Sequence, residues 1–157
     1  MTVAAVTALA VLILDQLTKF WVLHRLLPGV PVPIIEQLFS LTLVTNPGLA
    51  FGMLGGMPVG WRWVVALLSM GALAILARVG LRMLPGGGRL TPVALGMIFG
   101  GAVGNLIDRA RFGAVVDFLD FYWRAYHWPA FNVADSAITV GVALLALRML
   151  TTPSAQR

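Results

Sequence analysis

Cysteine is absent from this 157-residue chain, which excludes disulfides, a thiol nucleophile and thiolate metal sites. Histidine is nearly as scarce, with two copies and no HExxH pattern, so a zinc peptidase has no ligand set here. Ser136 has no evident histidine partner and no GxSxG elbow is present, which leaves a serine hydrolase without its parts. Charge is thin as well: 11% of residues are charged, against roughly a quarter in an ordinary soluble domain. The eleven basic residues form no dense run and no aromatic-interleaved patch of the kind that tracks nucleic acid. What is abundant is apolar surface, at 59% of positions, and the reading that follows is a single integral membrane domain. Its length suits about four spans of roughly 20 residues each.

The expected fold is a membrane all-α bundle of four transmembrane helices over about 3–23, 61–82, 92–109 and 132–150, with a β-containing cap over about 28–60 and a polar, disordered tail over 151–157. The first apolar run lacks a basic leader and a small-x-small cleavage pattern, so it reads as a retained helix. Asp15 and Lys19 interrupt it four residues apart, on one helical face and with the acid first, the favourable order for an ion pair that locks this helix to its neighbours; a direct role in chemistry is the other reading. Pro28 to Pro33 breaks the helix; Phe39, Leu41 and Leu43 then alternate with Ser40 and Thr42 in a strand period, and Asn46-Pro47-Gly48 signals a turn. Thr91-Pro92 fits an N-cap and first turn, and Gly96, Gly100 and Gly104 form a stripe suited to close helix packing. Residues 111–130 have the composition of the headgroup region. Arginines divide five against five between the two sides of a four-span arrangement, so charge bias leaves the topology undecided.

Four of the six acidic residues fall between Gly100 and Ser136, a costly concentration in a chain this apolar. Asp117 and Asp135 lie on either side of a short connection between two apolar runs and are able to meet across its top. Two adjacent carboxylates share a proton, and such a pair hydrolyses amides: the ionised member takes a proton from water while the protonated one polarises the carbonyl. The plainer reading of Asp135 is a first-turn acid behind an Asn132 N-cap, and that of Asp117 and Asp120 is solvation at the interface. Two other classes compete. A proton-coupled transporter or channel would use Asp15, Lys19, Asp117 and Asp135 as a relay, but it predicts charges spread through the bundle and often an internal repeat. A catalytically silent assembly subunit would use the glycine stripe as an interface.

The segments DQLTK from Asp15, TNPGLAFG from Thr45, GGAVGNLIDRARFGAVVDF from Gly100 and FNVADSAITVG from Phe131 together resemble the bacterial lipoprotein signal peptidase family, signal peptidase II. The resemblance runs in order through nearly the whole chain. It implies an aspartyl endopeptidase, without metal or other cofactor, that cuts diacylglyceryl-modified prolipoproteins just before the lipidated cysteine. Residue by residue, it makes Asp117 and Asp135 the catalytic dyad. Asn46, Asn105 and Asn132 become positioning amides, Arg109 a backbone or substrate contact, and Asp15 and Lys19 structural. Asp120 ranks as structural beside Asp117. It further implies a multi-pass protein of the bacterial inner membrane, with cytoplasmic termini and an extracytoplasmic active site under a β-cradle; a monomer is the expected state. Leu49 departs from the small residue more usual in the family at its position.

Overall fold

The computed structural model describes residues 1–47 and 90–151, together with Val64, Leu67, Leu68, Gly71, Ala74, Ile75, Arg78 and Gly88. The expected helix over 61–82, isolated positions aside, the cap beyond Pro47 with Leu49, and the tail after Thr151 lie outside the described residues.

Helix α1 (Thr2–Arg25) inverts the order of a water-soluble helix. Val6, Leu9, Leu17 and Phe20 are 58% to 62% exposed, whereas Asp15 is 0% and Lys19 2% exposed. A polar interior under an apolar exterior is the arrangement that lipid as solvent demands. Its 24 residues reach about 36 Å, enough for a hydrocarbon core of about 30 Å. The helix runs two residues past its expected end and stops where Leu26 turns extended, ahead of Pro28.

Helix α2 (Leu90–Phe112) packs between α1 and α3 (Val133–Thr151). Thr91 lies buried inside α2 instead of capping it, because Pro92 remains in the first turn, where N–H groups need no intrahelical acceptor. The glycine stripe is a packing surface. A Cβ on Gly100 would fall 2.5 Å from the Ala8 carbonyl oxygen of α1, one on Gly104 would overlap the Asp15 carboxylate, and one on Gly101 would overlap the Ala134 carbonyl of α3. Of the described helices, α1 and α2 are long and apolar enough to cross a membrane.

The β content is larger than expected. Strands β1 (Val32–Ile35), β2 (Phe39–Asn46), β3 (Val115–Trp123) and β4 (Tyr126–His127) form one antiparallel sheet in that order. The stretch 111–130, read from composition as an interfacial connection, therefore supplies two strands. Its Val-Val and Phe-Leu-Asp-Phe-Tyr-Trp content favours extended backbone, and β2 provides the partner. Asn46 ends β2, and the turn expected over Asn46-Pro47-Gly48 runs past Pro47, outside the described residues. Val22 of α1, Leu43 of β2, and Val116 and Phe118 of β3 form a buried cluster that seats the sheet against the end of α1.

Candidate active site

Register delivers Asp117. Val44 pairs with Asp117 and Asn46 with Val115, so the Asn46 side chain lies on the same face as Asp117, diagonally across the strand pair. Asn46 Nδ2 donates to Asp117 Oδ2 at 3.2 Å. After β4 the chain folds back so that Phe131 exchanges backbone hydrogen bonds with Leu119, at 2.8 and 3.1 Å. That bridge sets the next residue, Asn132, beside Asp117: its Nδ2 donates to Asp117 Oδ1 at 2.7 Å.

Asn132 is also the N-cap of α3. Its Oδ1 accepts the Asp135 N–H at 2.9 Å, the side-chain cap of a helix start, and this fixes Asp135 in the first turn. One amide thus touches the Asp117 carboxylate with its nitrogen and the Asp135 backbone with its oxygen. A second amide, Asn105 of α2, donates from Nδ2 to Asp135 Oδ1 at 2.7 Å and accepts at Oδ1 from Asn132 Nδ2 at 3.2 Å. The two carboxylates, 18 positions apart in sequence, join one continuous amide network. Asp117 is pushed up to about 7, first by burial and next by the negative charge of Asp135; hydrogen bonds from Asn46 and Asn132 and the charge of Lys19 oppose the rise.

Below this network lies a buried charge cluster. Lys19 Nζ is 2.9 Å from Asp15 Oδ2 and 2.7 Å from Asp108 Oδ2, and it donates to Asn105 Oδ1 at 3.0 Å. Asp15 Oδ1 accepts the Ala134 N–H at 3.0 Å and Asp108 Oδ2 accepts the Val116 N–H at 3.1 Å. Gln16 Nε2 reaches Asp15 and Asp108, each at 3.2 Å. Every anion here is answered by donors, as buried charge requires.

Asn46, Asn105, Asn132, Asp117, Asp135, Asp15 and Lys19 all enter this connected network. Arg109 lies at its margin, half-buried, with Nη1 3.3 Å from the Asn105 carbonyl oxygen and within the fields of Asp135, Asp117 and Asp108. Asp120 stands apart from it, with Ser40, Thr42 and His127. Asp108 and Gln16 are members that sequence reasoning passed over. The signal for Asp108 was present: it follows Asn105 by three residues, on the same face of one helix.

Fold and site together define a candidate membrane enzyme of the paired-carboxylate class. The chain belongs to the signal peptidase II family: the family model described as signal peptidase (SPase) II matches residues 7–151. A lipoprotein signal peptidase of Geobacter metallireducens is 50% identical over 147 residues, covering 92% of this chain and 88% of its own. One from Syntrophus aciditrophicus is 43% identical over 152 residues, covering 92% and 90% respectively. Among solved structures, a bacterial membrane enzyme determined by the in meso method at 2.3 Å resolution matches with a TM-score of 0.78 at 29% identity, over 100% of this chain and 93% of that one. Family membership sets aside the transporter and silent-subunit readings.

Proposed function

We propose that Asp117 and Asp135 are the catalytic dyad of an aspartyl endopeptidase that removes the signal peptide of diacylglyceryl-modified prolipoproteins, cutting before the lipidated cysteine. The single observation that carries the reading is Asn132, whose amide holds the Asp117 carboxylate at 2.7 Å and caps the helix start that presents Asp135. Around the dyad, Asn46 and Asn105 supply donors that orient each carboxylate without neutralising it.

In the working state the pair carries one proton and titrates as a unit. The ionised member takes a proton from water and the resulting hydroxide adds to the scissile carbonyl carbon. The protonated member gives its proton to the carbonyl oxygen, forming a neutral tetrahedral diol. Collapse breaks the C–N bond as a proton passes to the leaving nitrogen; the signal peptide leaves with a new carboxyl terminus and the lipoprotein with a new amino terminus. Asp117, pushed up to about 7, is suited to exchanging a proton near neutral pH.

The proposed setting is the bacterial inner membrane, with four spans, cytoplasmic termini and the site at the extracytoplasmic end. The protein acts as a monomer, and the substrate's acyl chains lie in lipid against the helices. The apolar exterior of α1 supports the lipid contact, and the position of the dyad where α2 and α3 meet the sheet supports access by water and peptide together.

The test is cleavage by the purified protein in lipid or detergent of a diacylglyceryl-modified prolipoprotein beside its unmodified precursor, with product masses measured. The reading expects cleavage of the modified substrate alone, immediately before the lipidated cysteine. Equal cleavage of both precursors, or a cut elsewhere, overturns the substrate assignment.

A further inference from the structure

The ammonium of Lys19 has three protons and three acceptors within 3.0 Å: Asp15 Oδ2, Asp108 Oδ2 and Asn105 Oδ1. Two are carboxylates, and they suffice for the locking of helices read from the sequence. The third is an amide whose other end donates to Asp135 Oδ1 at 2.7 Å. An asparagine amide presents its oxygen or its nitrogen on a given side by a half-turn about one bond. Here two donors, Lys19 Nζ and Asn132 Nδ2, converge on Oδ1. A flipped Asn105 would turn its NH2 toward a cation and another NH2, and its oxygen toward the Asp135 carboxylate. The buried cation thus selects the orientation in which Asn105 serves Asp135.

The anchors of Lys19 extend the same logic. Asp15 accepts the Ala134 N–H at the start of α3, the helix that carries Asp135. Asp108 accepts the Val116 N–H next to Asp117 on β3. Lys19 is therefore tied to the backbone of both elements that bear the dyad, as well as to the amide between them.

We propose that Lys19 is a positioning residue for peptide hydrolysis: by holding the oxygen of Asn105 it aims that amide's NH2 at Asp135 and fixes the carboxylate in its working orientation. This rests on the dyad reading given above. Supporting residues of this kind typically govern activity by about 10- to 100-fold.

The test uses the full-length protein with a diacylglyceryl-modified prolipoprotein. Lys19→Met alone leaves two buried carboxylates facing one another, so it is paired with Asp108→Asn in one variant and with Asp15→Asn in another, each keeping the formal charge of the cluster unchanged. Both variants, once shown by thermal melting to be folded, are expected to lose about 10- to 100-fold in kcat with KM within about twofold. In an Asn105→Ala background the same changes should move kcat by less than about twofold, because the route through the amide is already gone. Asn105→Asp keeps an oxygen for Lys19 and removes the NH2 aimed at Asp135, so it tests the same route with the cation in place; it should lose activity as Asn105→Ala does. Asp117→Asn and Asp135→Asn run in the same assay. If these two are inactive while a folded Lys19 variant keeps wild-type kcat, loses it equally in the Asn105→Ala background, or Asn105→Asp stays active, the positioning role is wrong and the dyad stands. If the aspartate variants themselves cleave normally, it is the dyad reading that fails.

Discussion

Asp117 and Asp120 are the same residue type, three positions apart on one strand, and both are buried, at 2% and 7% exposure. An odd spacing on a strand sends their side chains to opposite faces of the sheet. Asp120 accepts the hydroxyls of Ser40 and Thr42 at 3.2 and 3.1 Å, and His127 Nδ1 lies 2.9 Å from its other oxygen. Asp117 accepts amide hydrogens from Asn46 and Asn132 and lies in the field of a second carboxylate. Burial does not separate the two; their surroundings do. Hydroxyls and an imidazole close off a carboxylate as a cross-strand tie, whereas amides beside a second carboxylate leave one free to exchange a proton.

That contrast is open to attack from several sides, and the largest expected effect comes from the donors. Asn132→Ala removes the amide that joins Asp117 to the start of α3, and kcat should fall by about 10²- to 10³-fold. Thr42→Val, the counterpart change beside Asp120, should leave kcat within about twofold. Steady-state cleavage of a lipidated substrate decides, and similar losses in the two variants would erase the distinction.

A second effect is on stability against pH, with a definite sign. Asp117 sits at about 7 in the folded chain against an ordinary 3.8, so its folded-state pKa is raised. Between these values the folded form holds a proton that the unfolded form has released. The contribution is therefore full below about pH 4, falls as pH rises toward 7 and is lost above it. Asp117→Asn abolishes this slope. Relative to wild type, the variant should melt similarly near pH 4 and be more stable near pH 8 by roughly 2–4 kcal/mol. Denaturation in detergent across that range checks it, and parallel curves contradict it.

The Asp120 side should respond in stability instead. Asp120→Ala removes the shared acceptor of two buried hydroxyls, leaving them only one another, and should cost about 1–3 kcal/mol, with kcat of the folded enzyme within about threefold. The smallest change is His127→Gln. Its side chain is 54% exposed, and loss of its pairing with Asp120 should cost under about 1 kcal/mol. Both are read by thermal melts, and a large activity loss in either folded variant would move Asp120 into the chemistry.

Legibility in the sequence followed the range of the forces involved. The break after α1 and the Asn132 cap are set by neighbours within a turn or two, and the four-residue glycine spacing that α1 packs against lies within one helix, so all three were readable to within a few residues. The β3 strand was not. Both of its faces are occupied, one by the Asp117 network and the other by Ser40 and Thr42 against Asp120, so the alternation that marks a half-buried strand is erased. Its partner β2 lies some 70 residues earlier, a distance over which spacing carries no signal. For the site, motif resemblance singled out the dyad and the three amides. Asp108 escaped because its spacing from Asn105 marks only a shared helix face, while its partners, Lys19 and Gln16 of α1 and the Val116 N–H of β3, meet it once those elements are packed together.

The central claim is tested most directly by turnover of a diacylglyceryl-modified prolipoprotein by Asp117→Asn, Asp135→Asn and Asp120→Asn, each shown to be folded. Loss of about 10³-fold or more in the first two, with Asp120→Asn within a few-fold of wild type, is the predicted result. Near-normal turnover in either of the first two, or inactivity in the third, would contradict the assignment of the dyad.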